Sequence, residues 1–152
     1  MTPGFWTGKR VVITGHTGFK GSWLTLWLSQ LGANVTGIAL EPSTTPSIFN
    51  EANIAECCDH HVCDIRDAER TASLIKAANP EIIFHLAALL STRSEFTPMT
   101  AHRVNVEGTF LGMKHIMPAM LAAGHGSIVN ISSTAGIAGA AHAGAYCASK
   151  GA

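Results

Sequence analysis

The stretch Val11-Val12-Ile13-Thr14-Gly15-His16-Thr17-Gly18-Phe19-Lys20-Gly21-Ser22-Trp23 decides the fold of this chain. A run of β-branched residues leads into a turn with glycines at 15, 18 and 21, and the turn leads into apolar residues at helical spacing. In such a turn the first glycine permits backbone angles closed to other residues, the next allows close approach of a pyrophosphate, and the last allows the helix to pack on its strand. Backbone amides and the positive end of the helix dipole then face the phosphates. The stretch predicts the start of a dinucleotide-binding fold, and the alternative is a tight turn with no ligand.

Length and composition agree with an α/β domain. The 152 residues are 47% hydrophobic and 13% charged, which suits a sheet buried on both faces. The formal net charge is zero and no basic run is present, so we expect no nucleic-acid partner. Because no apolar stretch is long enough to span a bilayer and no signal peptide opens the chain, we expect no membrane partner. The four cysteines lack the spacing of a disulfide scaffold, and we expect reduced thiols in a cytoplasmic protein.

Strand and helix patterns alternate along the chain. Strands are predicted over residues 11–14, 34–40, 61–63, 82–87 and 127–132. Helices are predicted over residues 19–31, 48–55, 68–78 and 100–122, and from 142 onward. Right-handed crossovers between parallel strands give a doubly wound sheet of order 3-2-1-4-5 in three α/β/α layers. Residues 1–152 are then one dinucleotide-binding domain.

Several other distinctive residues fit structural roles. Trp6, Trp23 and Trp27 are predicted to pack in the core. His16, within the glycine turn, fits a phosphate contact and a neutral turn position about equally. His85, in an apolar strand, fits a packed histidine better than a catalytic one.

A short segment is rich in residue types that bind zinc. Its members are Cys57, Cys58, Asp59, His60, His61 and Cys63. Since no paired CxxC frames them, we predict an ordinary edge strand rather than a metal site.

Candidate catalytic residues lie near the end of the chain. Tyr146 and Lys150 are four residues apart, which places them on one face of a helix. A phenol with an ordinary pKa near ~10 is a poor base at neutral pH, and an adjacent ammonium favours the phenolate. With a hydroxyl from Ser132 or Ser133 nearby, these groups suit proton transfer to or from an alcohol or carbonyl while a nicotinamide moves a hydride. The alternative for the Tyr–Lys pair is a solvated helix face.

These motifs resemble, in their order, those of the short-chain dehydrogenase/reductase superfamily. The residues that carry the resemblance are the glycine turn, Asp64-Ile65, His85-Leu86-Ala87-Ala88 and Tyr146…Lys150. It covers essentially the whole chain. The resemblance implies Tyr146 as the acid/base, Lys150 as its electrostatic partner and a ribose contact, and Ser133 as the hydroxyl on the substrate oxygen. It further implies that Asn105 holds a water molecule in a proton relay.

The resemblance also implies a set of cofactor contacts. This set is Gly15, Thr17, Gly18, Phe19, Gly21, Glu41, Asp64, Ile65, Leu86, Ala87, Ala88, Tyr146 and Lys150. Asp64 and Ile65 would flank the adenine, and Ala87 and Ala88 would line the nicotinamide-ribose side. An acid at Glu41 accepts from the ribose 2′-OH and repels a 2′-phosphate, so NAD is expected in preference to NADP. The acid position of relatives aligns alternatively with Ala39, which would weaken that discrimination.

Different segments resemble different branches of the superfamily. Residues 5–24, 41–49 and 64–67 resemble the CDP-glucose 4,6-dehydratases. Residues 85–105 resemble sugar-acid epimerases and dehydrogenases, and residues 108–150 resemble single-domain alcohol and steroid dehydrogenases. The chain is therefore interpreted as a chimera of βα units. Since Ser133-Thr134 is followed by Ala135 where a dehydratase carries an acid, 4,6-dehydration of a sugar nucleotide is disfavoured.

Two function hypotheses stay open. One is an NAD-dependent oxidoreductase acting on a small alcohol, carbonyl or sugar-type substrate. The other is a non-catalytic NAD-binding module, since superfamily members continue past the Tyr–Lys helix into a substrate-binding region. An open fifth strand and an apolar helix over residues 100–122 predict a homo-oligomer. The apolar residues of that helix are Phe110, Leu111, Met113, Met117, Met120 and Leu121.

Overall fold

The structure is a computed structural model that describes residues 4–87 and 98–152. The chain divides into two compact units, Met1–Ala87 and Ala88–Ala152. The first unit holds a parallel sheet with its helices, and the described part of the second unit is helical.

The first unit alternates strands and helices as the sequence predicts. Its strands are β1 (Arg10–Thr14), β2 (Asn34–Ala39), β3 (Asp59–Val62) and β4 (Ile82–His85). Its helices are α1 (Phe19–Gln30), α2 (Ile48–Glu51) and α3 (Ala68–Ala78), with a 3₁₀ turn at Ile54–Cys57. All strand pairs are parallel, in the order β3-β2-β1-β4. The doubly wound α/β class is confirmed, with the strand order 3-2-1-4.

Helices cover both faces of the sheet. Alternate residues of β1 point to opposite faces, and those on each face pack against a different helix. Val11 and Ile13 pack with Leu28 of α1, and Val12 packs near Leu74 of α3. All four residues from 11 to 14 are buried, whereas β3 and β4 are partly exposed because they form the edges. Helices on both faces of one sheet give the three layers that the sequence predicts.

Local signals fix the ends of the helices. The Asp67 carboxylate accepts a hydrogen bond from the Arg70 amide at 3.0 Å and so caps α3. Asn79 ends α3 in the left-handed conformation, immediately before Pro80. Gly32, with φ +85°, follows the end of α1 and allows the chain to turn into β2.

The second unit contains the predicted long helix in three parts. These are α4 (Pro98–His102), a π-helical turn (Arg103–Glu107) and α5 (Gly108–Ala123). Pro118 lies inside α5 without ending it, and Gly124 ends the helix in the left-handed conformation. Two further helices follow, α6 (Ala135–Ala138) and α7 (Gly144–Gly151).

Two expectations are wrong. The fifth strand, predicted over residues 127–132, does not form in the described part of the chain. The side-chain hydrogen bonds of this segment go instead to Lys150 and to Met113 of α5, and Val129 is 78% exposed. The tryptophans of α1 do not lie in the core either, since Trp23 is 52% exposed and Trp27 is 49% exposed.

Candidate functional site

The glycine turn joins β1 to α1 at the carboxyl edge of the sheet. Gly15 adopts φ +77°, which strains any residue with a side chain, and a Cβ there would lie 2.8 Å from the Ala87 amide nitrogen. A Cβ at Gly21 would overlap the carbonyl oxygen of Gly15. The polypeptide itself therefore requires glycine at both positions.

Gly18 differs from the other two glycines. Its φ of −77° and ψ of 167° are open to any residue, and the atom of the described chain nearest to a Cβ would be the Gly15 oxygen at 3.4 Å. The first turn of α1 contains no acidic residue, and its N-cap offers no side-chain acceptor. The N-terminus of α1 thus presents backbone amides and free space, which fits the phosphates of a dinucleotide.

Side chains around the turn connect it to the second strand. The Thr17 hydroxyl donates to the Leu40 carbonyl at 2.8 Å, next to the exposed Glu41. The Phe19 side chain is 72% exposed at the start of α1. Thr17 is thus attached to the segment that follows β2, where the predicted cofactor residue Glu41 is exposed.

His16 does not offer its side chain to a phosphate. The side chain is fully buried, with Nε2 2.7 Å from Nδ1 of His60. Burial and the nearby His60 lower the pKa of His16 to about 4, partly offset by the Ile38 carbonyl. Of the two roles that the sequence left open, burial of the imidazole supports the turn position without a phosphate contact.

Asp64, the predicted adenine contact, is paired with a residue that sequence reasoning missed. Arg66 donates Nε–H to both carboxylate oxygens, at 3.0 and 2.9 Å, and its backbone amide donates at 2.9 Å. The hydrogen bonds from Arg66 lower the pKa of Asp64. Ile65 lies between the two, half-buried.

The end of β4 lies against the glycine turn through Thr14. The Thr14 hydroxyl is 2.8 Å from Nδ1 of His85 and accepts from the Ala87 amide at 3.4 Å, while the Thr14 carbonyl accepts from Leu86 at 3.0 Å. Leu86 and Ala87, both predicted cofactor residues, are thereby held beside Gly15. Ala88, the next predicted residue, lies outside the described residues.

Two of the predicted catalytic residues lie on α7 in the second unit, and a third is bonded to that helix through Ser149. Tyr146 and Lys150 are half-buried on that helix. Asn105, in the π-helical turn, donates its amide to the Ser149 hydroxyl at 2.9 Å, and Ser149 donates to the Tyr146 carbonyl at 2.8 Å. Ser149 was not singled out in the sequence, although it lies within the Tyr–Lys motif.

The segment with the two candidate serines wraps around the end of α7. The Lys150 ammonium donates to the Ile131 carbonyl at 3.2 Å, and the Ser132 hydroxyl donates to the Lys150 carbonyl. The half-buried Ser133 accepts from the Ala135 amide at 3.2 Å. The Ser132 hydroxyl is thus a donor within the chain, whereas the Ser133 oxygen accepts a hydrogen bond.

The cysteine- and histidine-rich segment forms a 3₁₀ turn and edge strand β3. Burial raises the pKa of the Cys58 thiol to about 11, so this thiol is a poor nucleophile at neutral pH. Within residues 4–87 and 98–152, no group of three His, Cys, Asp or Glu side chains is arranged to hold a metal ion.

Comparison of the sequence with known protein families gives a match. The family model for short chain dehydrogenase matches residues 9–152. The chain belongs to the short-chain dehydrogenase family. Proteins of this family bind nicotinamide cofactors, in agreement with the open space at Gly18.

Individual relatives agree with the family and with the resemblance of the head. The chain is 43% identical over 131 residues to CDP-glucose 4,6-dehydratase of Salmonella typhimurium, an alignment covering 85% of this chain and 35% of the relative. It is 34% identical over 158 residues to short-chain dehydrogenase/reductase family 16C member 6 of Bos taurus, covering 95% of this chain and 49% of the relative. The solved structure of a short chain dehydrogenase/reductase family protein superposes with a TM-score of 0.72 at 25% identity, covering 96% of this chain and 64% of that one. The chain thus spans about a third to a half of the length of these two curated relatives.

The lengths and hydropathy of the helices address whether the described chain can span a membrane. A helix long and apolar enough to cross a bilayer is absent from residues 4–87 and 98–152.

Proposed function

We propose that this short-chain dehydrogenase domain binds a nicotinamide dinucleotide, with NAD preferred, at the glycine turn. The observation that carries the proposal is Gly18, a glycine that neither its φ nor its neighbours in the described chain require, since a Cβ there would meet the Gly15 oxygen at an ordinary contact distance of 3.4 Å. The uncapped amides of α1 beside it supply hydrogen-bond donors to phosphate oxygens. Thr17, Phe19, Glu41, Asp64, Ile65, Leu86 and Ala87 complete the proposed contacts.

A single alanine substitution in the turn, with a control substitution elsewhere, tests this proposal. Gly18→Ala places a methyl group where the phosphates would lie, so we expect NADH affinity to fall at least about tenfold. The free energy of unfolding should fall by only about 1 kcal/mol, because φ is ordinary and the remaining cost is that of Ala, a poorer N-cap than Gly. Gly112→Ala, on α5, is the matched control, since a Cβ there meets nothing in the described chain within 4 Å. Equal NADH affinity in the two variants would contradict the proposal.

The choice of NAD over NADP rests on Glu41 at the end of β2. Its exposed carboxylate can accept from a ribose 2′-OH and would repel a 2′-phosphate. We expect tighter binding of NADH than of NADPH in parallel titrations, and Glu41→Gln should narrow the difference. A preference for NADPH in the wild type would overturn this assignment.

The proposed chemistry is proton transfer at a small alcohol or carbonyl. The cofactor, when bound, supplies or accepts the hydride. The Tyr146 phenol gives or takes the proton of the substrate oxygen, the Lys150 ammonium stabilises the phenolate, and the Ser133 hydroxyl donates a hydrogen bond to the same oxygen. The Asn105–Ser149 hydrogen bond supports this arrangement because it attaches α7 to the π-helical turn.

Turnover distinguishes this enzyme from a binding module with the same fold. A panel of alcohols with NAD should show a rate that Tyr146→Phe abolishes, since the phenol proton is then missing. A rate that survives the substitution excludes the mechanism, and NAD binding without any turnover favours the module.

A sugar-nucleotide 4,6-dehydratase is the second candidate, favoured by the 43% identity to the Salmonella typhimurium enzyme. It is disfavoured at Ala135, which stands after Ser133-Thr134 where an acid is expected for the elimination step. We expect no keto-sugar after incubation with CDP-glucose and NAD, and formation of one would reverse the order of the two candidates.

We also propose a homo-oligomer that uses the exposed apolar surface of α5. Phe110 is 58% exposed, Met117 49% and Leu121 77%. Light scattering at micromolar concentration should show more than one chain per particle, and Leu121→Glu should reduce the mass, whereas Lys76→Glu on α3 should not. A stable wild-type monomer would contradict this.

A further inference from the structure

His16 occupies an unusual position in the glycine turn. Its backbone lies between Gly15 and Thr17, in the segment proposed to hold phosphate, yet its imidazole is fully buried. The imidazole contacts His60 of β3 through a 2.7 Å hydrogen bond, with ring centroids 4.8 Å apart. The Phe49 ring of α2 packs edge-on against it at 5.5 Å.

The His16 imidazole occupies space that a side chain at Gly37 of β2 would otherwise fill. Gly37 lies in the middle of β2, where glycine weakens a strand, and a Cβ there would overlap the His16 ring. The backbone of the turn is held as well, since the buried Ser22 hydroxyl donates to the His16 carbonyl at 3.0 Å. The Gly15 amide donates to the Ile38 carbonyl at 2.9 Å.

We propose that His16 is a positioning residue of the cofactor turn, and that its contact with His60 couples the turn to β3. This inference rests on the proposed function of the turn and identifies what holds the turn in its binding conformation. In a hydrogen bond between two imidazoles one nitrogen donates and the other accepts, so the contact requires at least one neutral ring. Loss of the contact frees the turn from its side-chain anchor.

The surroundings favour the neutral form of His16. The titratable groups facing it come from β3 and are His60 and His61, the latter bonded to Asp59 at 2.9 Å. From β2 it faces the Ile38 carbonyl, and from α2 the uncharged Phe49. Burial and His60 hold the pKa of His16 near 4. Burial and His60 therefore disfavour a charged His16 within this site.

A pair of adjacent substitutions on β3 tests the proposal. His60→Leu removes the partner of His16, whereas His61→Leu removes a neighbouring imidazole that bonds Asp59 instead. The Gly15 amide donates to the Ile38 carbonyl and the Gly18 amide donates to the Gly15 carbonyl, so hydrogen exchange of these two amides reports on the anchor without any ligand. We expect faster exchange of both amides in His60→Leu than in His61→Leu. We also expect about tenfold weaker NADH binding in His60→Leu alone, the loss of one hydrogen bond.

His60→Gln is the control for a general loss of stability at this position. The glutamine amide can still form a hydrogen bond with the His16 imidazole, so this variant should restore slow exchange of the Gly15 and Gly18 amides. Equal exchange rates in the leucine variants, or no recovery with glutamine, would overturn the proposal. If wild type fails to bind NADH while the exchange difference appears, the anchor stands and the proposed function of the turn fails.

Discussion

His16 should make the first unit sensitive to mild acid. The pKa of its imidazole is about 4 in the folded protein, against an ordinary value of 6.5. Because the folded-state pKa is the lower one, the unfolded chain binds more protons between these values, and stability decreases as the pH is lowered across this window. Above pH 6.5 the contribution is fully present. Integration of the two titrations gives a loss of about 2 kcal/mol at pH 5 and roughly 3 kcal/mol at pH 4.

Urea unfolding at pH 7.5 and pH 5.0, followed by tryptophan fluorescence, measures this loss. His16→Phe cannot titrate and keeps an aromatic ring beside Phe49, so its loss between the two pH values should be smaller than that of wild type by about 2 kcal/mol. His115→Phe replaces an exposed histidine and should keep the wild-type loss. The pKa of Asp64 is also lowered, but its stabilising contribution is lost only as the pH falls below the ordinary value of 3.8, so it takes no part in the loss between pH 7.5 and pH 5.0. The same loss in wild type and His16→Phe would refute the reasoning.

Three other predictions follow from packing and charge. Leu28→Ala should lower the free energy of urea unfolding by about 2–5 kcal/mol, because Leu28 is 2% exposed. Trp23→Ala changes a half-exposed site of the same helix and should lower it by about 1 kcal/mol or less. Equal losses in the two variants would contradict the assigned buried and exposed faces of α1. Gly21→Ala should lower the melting temperature sharply since its Cβ overlaps backbone atoms, and an unchanged melting temperature would exclude that contact. Arg66→Leu should raise the pKa of Asp64 toward its ordinary value, as measured by carbon NMR of the carboxyl group, and an unaltered titration would rule out Arg66 as the cause.

The first unit was predictable because its signals are local. The β-branched run at 11–14 forms a strand buried on both faces, and Asp67 and Asn79 mark the two ends of α3. Strand order follows from the handedness of parallel crossovers, which is nearly invariant. Neither step needs knowledge of distant contacts.

The misplaced tryptophans show where such signals are insufficient. A helix reveals its outer face through polar residues, and α1 has a single charged residue, Lys20. Apolar spacing then fits either face, and Leu28 rather than Trp23 or Trp27 occupies the buried one. The segment at 127–132 has the composition of a strand, but a strand also needs a hydrogen-bonded neighbour.

The two glycines at 18 and 21 belong to one motif but are present for different physical reasons. Gly21 is required by the chain, because a side chain there would strike the carbonyl of Gly15. The described chain does not require glycine at position 18, and this is the observation from which we propose a dinucleotide there. The sequence presents both as equal members of a pattern, and only the positions of their neighbours distinguish the two glycines. For that reason Gly18, rather than the motif as a whole, carries the assignment of a dinucleotide site.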